Sequence, residues 1–181
     1  MLVLISAHPY PDRSRANRAL LDAVRDLEGI EIRSLYDLYP DFGIDVAAEQ
    51  SALVRSKAIV WQHPMYWYAP PGLLKHWFDK VLVRGWAYGD GGTALVGKRC
   101  LWVTTTGGEP SSFRPEGMHG HPFSAFVPAV EQTARFCGMT WEPPLVLHGA
   151  HRVTDSALAA TAADYRSRLE RLIDDLEQEA S

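Results

Sequence analysis

The side chains best suited to ligand chemistry fall in three short stretches. The first is Ala7–Asn17, AHPYPDRSRAN. It gathers the imidazole of His8, the hydroxyl of Ser14, the guanidinium of Arg15 and the amide of Asn17, with Ala16 between the last two. Such donors bind a monophosphate where glycine backbone is not supplied. Ser14 also reads as the cap of a following helix, whose first turn offers unpaired N–H groups and the positive end of the dipole. Neither G-x-G-x-x-G nor G-x-x-x-x-G-K occurs there, so the loop is no dinucleotide or P-loop fingerprint. The same residues would equally make a capped surface helix with a solvated arginine.

The second stretch, Met65–Tyr66–Trp67–Tyr68, offers thioether and flat aromatic surface. The third runs from Thr104 to Gly108. Thr105 and Thr106 supply hydroxyls, and Gly107 and Gly108 let backbone approach a planar ring. Taken alone, the aromatic run is equally a dimer patch and the threonine–glycine run an ordinary turn. His119 and His121 lie in a long loop, Glu109–Pro122. With His8 and His63 they could be drawn together as metal ligands. No H-E-x-x-H and no cysteine pair at ligand spacing accompanies them, so no metal is expected.

These stretches need elements to place them. Leu2–Ile5, Ala58–Trp61, Cys100–Val103 and Leu145–Leu147 are short apolar runs that read as buried strands. Ile30 and Ile32, with Leu35, alternate as a further strand. The proline at 64 is expected to stop the third strand's ladder. Helical spacing predicts helices over 15–28 (ending at Gly29), 46–54 and 73–83, another lined by Phe123, Phe126, Val127, Val130, Ala134 and Cys137, and a C-terminal one from Leu158 to Leu176. Tyr36–Asp45 reads as loop. Strand and helix alternate five times, which predicts an α/β fold: a five-stranded parallel sheet with helices on both faces. Lacking a second dinucleotide half, the sheet should be flavodoxin-like, in the order 2-1-3-4-5.

In that order strands 1, 3 and 4 are neighbours, so the three stretches meet at their carboxyl ends. Phosphate donors at one end and ring-binding groups at the other describe FMN, with the flavin doing redox chemistry and the protein tuning it.

The 181 residues are expected to form one domain, 1–181. Apolar residues make up 46% and charged residues 22%, a soluble profile. A net charge of -4 without a basic stripe argues against a nucleic-acid partner. Cys100 and Cys137 read as reduced, buried thiols of a cytoplasmic protein. No signal peptide or membrane span is visible. Six tryptophans and seven tyrosines, several in loops, point to a flat ligand or an interface.

A-H-P with S-x-A-N, then Q-H-P-M-x-W-Y, then T-T-G-G resembles the flavodoxin-like NAD(P)H:quinone oxidoreductase family. LYPDFGID, VWQHPMYWY, PPGLLKHWFDKV and GWAYGDGGTALVGK are similar to one branch of it, the ancillary subunits of glutathione-gated potassium efflux systems. The resemblance implies an FMN-binding, usually homodimeric NAD(P)H dehydrogenase that passes a hydride to a quinone. FMN contacts then fall on His8, Ser14, Arg15, Ala16, Asn17, Met65, Tyr66, Trp67, Tyr68, Thr105, Thr106, Gly107 and Gly108. Trp86 and Tyr88 match the aromatic wall for quinone or nicotinamide, which in family dimers comes from the neighbouring subunit. G-M-H-G places His119 beside the flavin as the catalytic candidate. Relatives carry a tyrosine six residues before that histidine, where this chain has Phe113. A Tyr–His relay is therefore expected to be broken, and His119 to contribute modestly. The branch also implies an alternative role: a regulatory subunit on the inner face of the membrane that binds and activates a potassium efflux transporter.

Overall fold

A computed structural model describes residues 1–179. Strands β1 (Leu2–Ser6), β2 (Ile30–Ser34), β3 (Ala58–Pro64), β4 (Arg99–Thr105), β5 (Thr140–Trp141) and β6 (Leu145–Leu147) form a parallel sheet in the order β2-β1-β3-β4-β5, with β6 also on β4. The expected fifth strand is thus two pieces. Pro143 and Pro144 lie between them, and a proline has no N–H to give a ladder.

Period-two alternation sorts the strand residues onto two faces. Val3, Ile5, Ile59, Trp61, Cys100 and Trp102 pack in one cluster with α3 (Val46–Arg55), α4 (Gly72–Val81) and α5 (Pro128–Phe136). Leu2, Leu4, Val60, Leu101 and Val103 pack in the other, with α1 (Arg15–Asp22) and α6 (Asp155–Gln178). Both faces are covered, so the central strands β1, β3 and β4 are buried on both sides, while the edge strand β2 keeps Glu31 and Arg33 on one face.

Several boundaries differ from expectation. The first helix stops at Asp22 rather than at 28. Beyond it the chain tightens into turns bonded three residues back, Val24 to Leu21 and Leu27 to Val24, while Val24 stays in the core. A short helix, α2 (Leu35–Leu38), occupies part of the expected loop and takes Leu35 out of β2. The fourth predicted helix is broken: Phe123–Phe126 is a 3-10 turn, and α5 begins at Pro128. Proline suits a helix start because its missing N–H would be unpaired there anyway.

The third strand does not stop before its proline; it continues through Gln62 and His63 to Pro64, paired with Thr105. His63 is fully buried inside it. The Trp102 indole N–H donates to His63 Nε2 (2.7 Å), which leaves Nδ1 to donate to the Pro64 carbonyl (2.9 Å). Burial pushes this imidazole down to about 4. A depressed folded value means the unfolded chain binds the proton more tightly. The stability His63 contributes is complete above its unfolded value of 6.5 and is lost as pH falls toward 4. That loss amounts to about 3 kcal/mol. His63→Gln is expected to flatten this part of the acid limb in urea denaturation at pH 4 to 7. An unchanged acid limb would contradict the assignment.

Candidate cofactor site

Register brings the first and third stretches together. Ser6 lies opposite Gln62, Pro64 opposite Thr105, and Thr105 opposite Leu147, so the carboxyl ends of β1, β3, β4 and β6 finish at one rim. A cleft of about 310 Å³ opens there. Its walls include His8, Ser14, Arg15, Ala16, Asn17, Met65, Tyr66 and Thr105–Gly107, with Ala150 and His151 from the loop after β6. The volume falls in the range of small-molecule and cofactor sites.

A buried polar chain fixes the floor. Tyr165 of α6 donates to Gln62 Oε1 (3.1 Å), and Gln62 Nε2 donates to the Asn17 carbonyl (2.9 Å). Asn17 Nδ2 in turn donates to Thr105 Oγ1 (2.8 Å). Four elements are tied through groups that cannot be left unpaired cheaply. Gln62 opens the Q-H-P-M-x-W-Y match and Tyr165 lies within the expected C-terminal helix, but sequence reasoning gave neither a place in the site.

At one end of the cleft lies the start of α1. Ser14 occupies the N-cap position but makes no capping bond, contrary to expectation. Its carbonyl takes the Arg18 N–H, while the N–H groups of Arg15, Ala16 and Asn17 donate to no acceptor among the described residues. Asn17 Oδ1 is buried without a partner. His8 Nδ1 accepts the Tyr10 N–H (3.0 Å), so in the neutral ring Nε2 carries the proton; burial lowers the imidazole below its usual range and favours that form. Apart from Asn17 Oδ1, which only accepts, the result is a set of donors with nothing inside the chain to bind. Arg15 is the exception: its guanidinium donates to the Val153 carbonyl (2.8 Å) and pairs with Asp155.

The other end is the loop after β4. Thr106 N–H donates to Leu147, but the N–H groups of Gly107 and Gly108 have no acceptor among the described residues. A Cβ on Gly108 would come within 2.5 Å of His119 Nε2, so this position takes glycine because the imidazole lies against it. That nitrogen is buried and has no partner.

The aromatic stretch forms a tight turn between these ends. Tyr66 and Ala69 exchange two backbone hydrogen bonds (3.0 and 3.1 Å). Trp67 and Tyr68 between them have φ of 49° and 65°. Turns of the I′ kind demand this and normally recruit Asn-Gly. Two aromatic residues held there store roughly 1–3 kcal/mol each, a cost typical of ligand sites. Trp67 is left 92% exposed, while the Tyr68 ring stacks on Phe126 (5.0 Å).

His119 is reached from three sides. Phe113 stacks on its face (4.2 Å), Gly108 lies at Nε2, and the Tyr68 hydroxyl stands 3.4 Å from Nδ1. Phe113 brings no hydroxyl to His119, but that of Tyr68 arrives from the loop after β3. His121 contacts only the edge of Phe126 among the rings (6.3 Å).

Trp86 and Tyr88 are not brought to this cleft within one chain. Both pack against the α4–α5 side of the core, and the Tyr88 ring lies 4.9 Å from Phe136. Among the described residues no cluster of three His, Cys, Asp or Glu is placed to hold a metal.

The family described as flavodoxin-like fold matches residues 1–169. The glutathione-regulated potassium-efflux system ancillary protein KefF of Citrobacter koseri is 52% identical over 169 residues, covering 93% of this chain and 95% of its own. Among solved structures, general stress protein 14 of Treponema denticola in complex with FMN is 34% identical, with a TM-score of 0.87, over 94% of this chain and 98% of that one. An NADPH-quinone reductase of P. pentosaceus is 26% identical, with a TM-score of 0.84, over 93% and 96%.

Proposed function

We propose that this chain, which belongs to the flavodoxin-like family, is an FMN-dependent oxidoreductase that carries a hydride from NAD(P)H to a quinone. One observation carries the reading. An uncapped helix start with free N–H donors and the unpaired Gly107 N–H line one cleft, and the unpaired Gly108 N–H is next along the same loop. The likeness to a protein in complex with FMN and to an NADPH-quinone reductase supports it.

The residues fit the cofactor. The Ser14 hydroxyl, the first-turn N–H groups of Arg15, Ala16 and Asn17, and His8 Nε2–H would hold the phosphate. Met65–Tyr68 would flank the ring system, and Thr105, Thr106, Gly107 and Gly108 its pyrimidine edge. Bound FMN would supply the hydride chemistry. The two glycine N–H groups would stabilise negative charge without reorganising. Tyr68 and His119 together can hold a proton beside the substrate's oxygen. Trp86 and Tyr88, remote from their own cleft, would close the site of a second subunit in a homodimer.

With FMN loaded, the protein is expected to oxidise more than one equivalent of NADH or NADPH per site only when a quinone is supplied. Multiple turnovers without quinone, or none with it for both nicotinamides, would contradict the reading.

The Citrobacter koseri relative favours a second role. In that reading the protein works in the cytoplasm, docked on the inner face of a potassium efflux transporter. No helix among the described residues is long and apolar enough to cross a membrane, so docking would go through the transporter. Added to vesicles holding the transporter, the protein should raise potassium efflux; unchanged efflux would set this role aside.

A further inference from the structure

The loop that carries the two free glycine N–H groups is held from outside its own strand. Thr106 N–H donates to Leu147, Ala150 N–H to Thr106, and Gly149 N–H to Gly108, each at 2.9 Å. The Thr106 hydroxyl adds a bond to the Gly108 carbonyl (2.8 Å). His148 Nδ1 stands 2.9 Å from that same hydroxyl oxygen. A carbonyl only accepts, so the single hydroxyl proton points at Gly108. His148 Nδ1 must therefore carry a hydrogen and donate to Thr106.

The surroundings keep the ring where it is. Phe113 and Phe123 lie 5.1 and 5.0 Å from the imidazole, the second edge-on. Gly149, at φ +64°, has no room for a side chain: a Cβ there would meet the Glu109 carboxylate at 2.5 Å. The loop after β6 is thus pressed against the loop after β4 on both sides of His148.

We propose that His148 is the positioning residue of the flavin-edge loop. Its Nδ1–H locks the Thr106 hydroxyl onto the Gly108 carbonyl, and this turns the Gly107 and Gly108 N–H groups toward the cleft before any cofactor arrives. The role rests on the FMN reading for its purpose, but the clamp itself belongs to the protein alone. Preorganised donors bind more tightly because nothing has to be ordered on binding.

Three measurements test it. In the cofactor-free protein, nitrogen NMR of the His148 ring is expected to show the Nδ1–H tautomer; an Nε2–H ring would overturn the clamp. Amide exchange at Gly149 and Ala150 should quicken about tenfold or more in His148→Ala and Thr106→Val, which each remove one partner of a half-buried bond. His148→Asn, whose amide can donate from near the Nδ1 position, should restore slow exchange. FMN dissociation constants should follow the same order: raised about tenfold in the first two variants and within about threefold of wild type in His148→Asn. Equal affinities across all variants would overturn the positioning role while leaving the cofactor reading intact. A wild-type protein that takes up no FMN, yet shows the tautomer and the exchange pattern, would overturn the cofactor reading and leave the clamp standing.

Discussion

Replacing Ser14 and Asn17 together by alanine is expected to give folded, colourless protein whose FMN affinity has fallen by about 100-fold or more. Ser14 makes no capping bond, so its loss should cost the helix little. Its hydroxyl serves no group within the chain, and the phosphate is the ligand that would use it. Asn17 also ties α1 to Thr105 of β4 (2.8 Å), although its backbone carbonyl would still take Gln62. The alanine leaves Thr105 Oγ1 short of a donor, a penalty of about 1–3 kcal/mol that the fold should survive. The Ser14 hydroxyl and the Asn17 Nδ2 hydrogen not used on Thr105 would give the phosphate two bonds worth about 3–6 kcal/mol together, and each 1.4 kcal/mol is tenfold in affinity. Quenching of FMN fluorescence on titration reads the loss, and a thermal melt shows that the fold remains. A double variant that retains full flavin occupancy would contradict the phosphate assignment.

His119→Ala and Tyr68→Phe are each expected to lower quinone-dependent turnover by about 100-fold with flavin content unchanged. Sequence alone led to a milder expectation for His119, because Phe113 replaces the relatives' tyrosine. The geometry changes that expectation. Phe113 occupies the face of the imidazole (4.2 Å), which leaves both ring nitrogens free at its edge. One meets the Tyr68 hydroxyl and the other lies buried against Gly108. A positioned proton donor contributes about 10²–10⁴-fold. Steady-state rates and flavin content, measured on the same preparations, check this. Losses below about threefold in both variants would reduce His119 to a packing group.

The architecture was readable because buried parallel strands are short, apolar and closed by turn residues. Leu2–Ile5 and Ala58–Trp61 could be little else, and alternation with helical patterns then dictated the sheet order. The meeting of Asn17 with Thr105 followed from that order, though the contact itself did not. The floor of the cleft was hidden because Gln62 and Tyr165 are 103 positions apart and neither type is diagnostic. The Trp67–Tyr68 turn was hidden for the opposite reason: its residues contradict the Asn-Gly chemistry that announces such a turn. Pro143 and Pro144 divide the last strand, and so obscured that its loop, with Ala150 and His151, forms part of the wall. Trp86 and Tyr88 could be recognised as aromatic but not placed, since neither lines its own chain's cleft.

The cleft's identity as a flavin site is tested most directly by the absorption spectrum of the freshly purified protein, taken before and after incubation with FMN and removal of the excess. The account predicts a yellow protein with bound-flavin bands, as isolated or after reconstitution. A protein that stays colourless after reconstitution would contradict it.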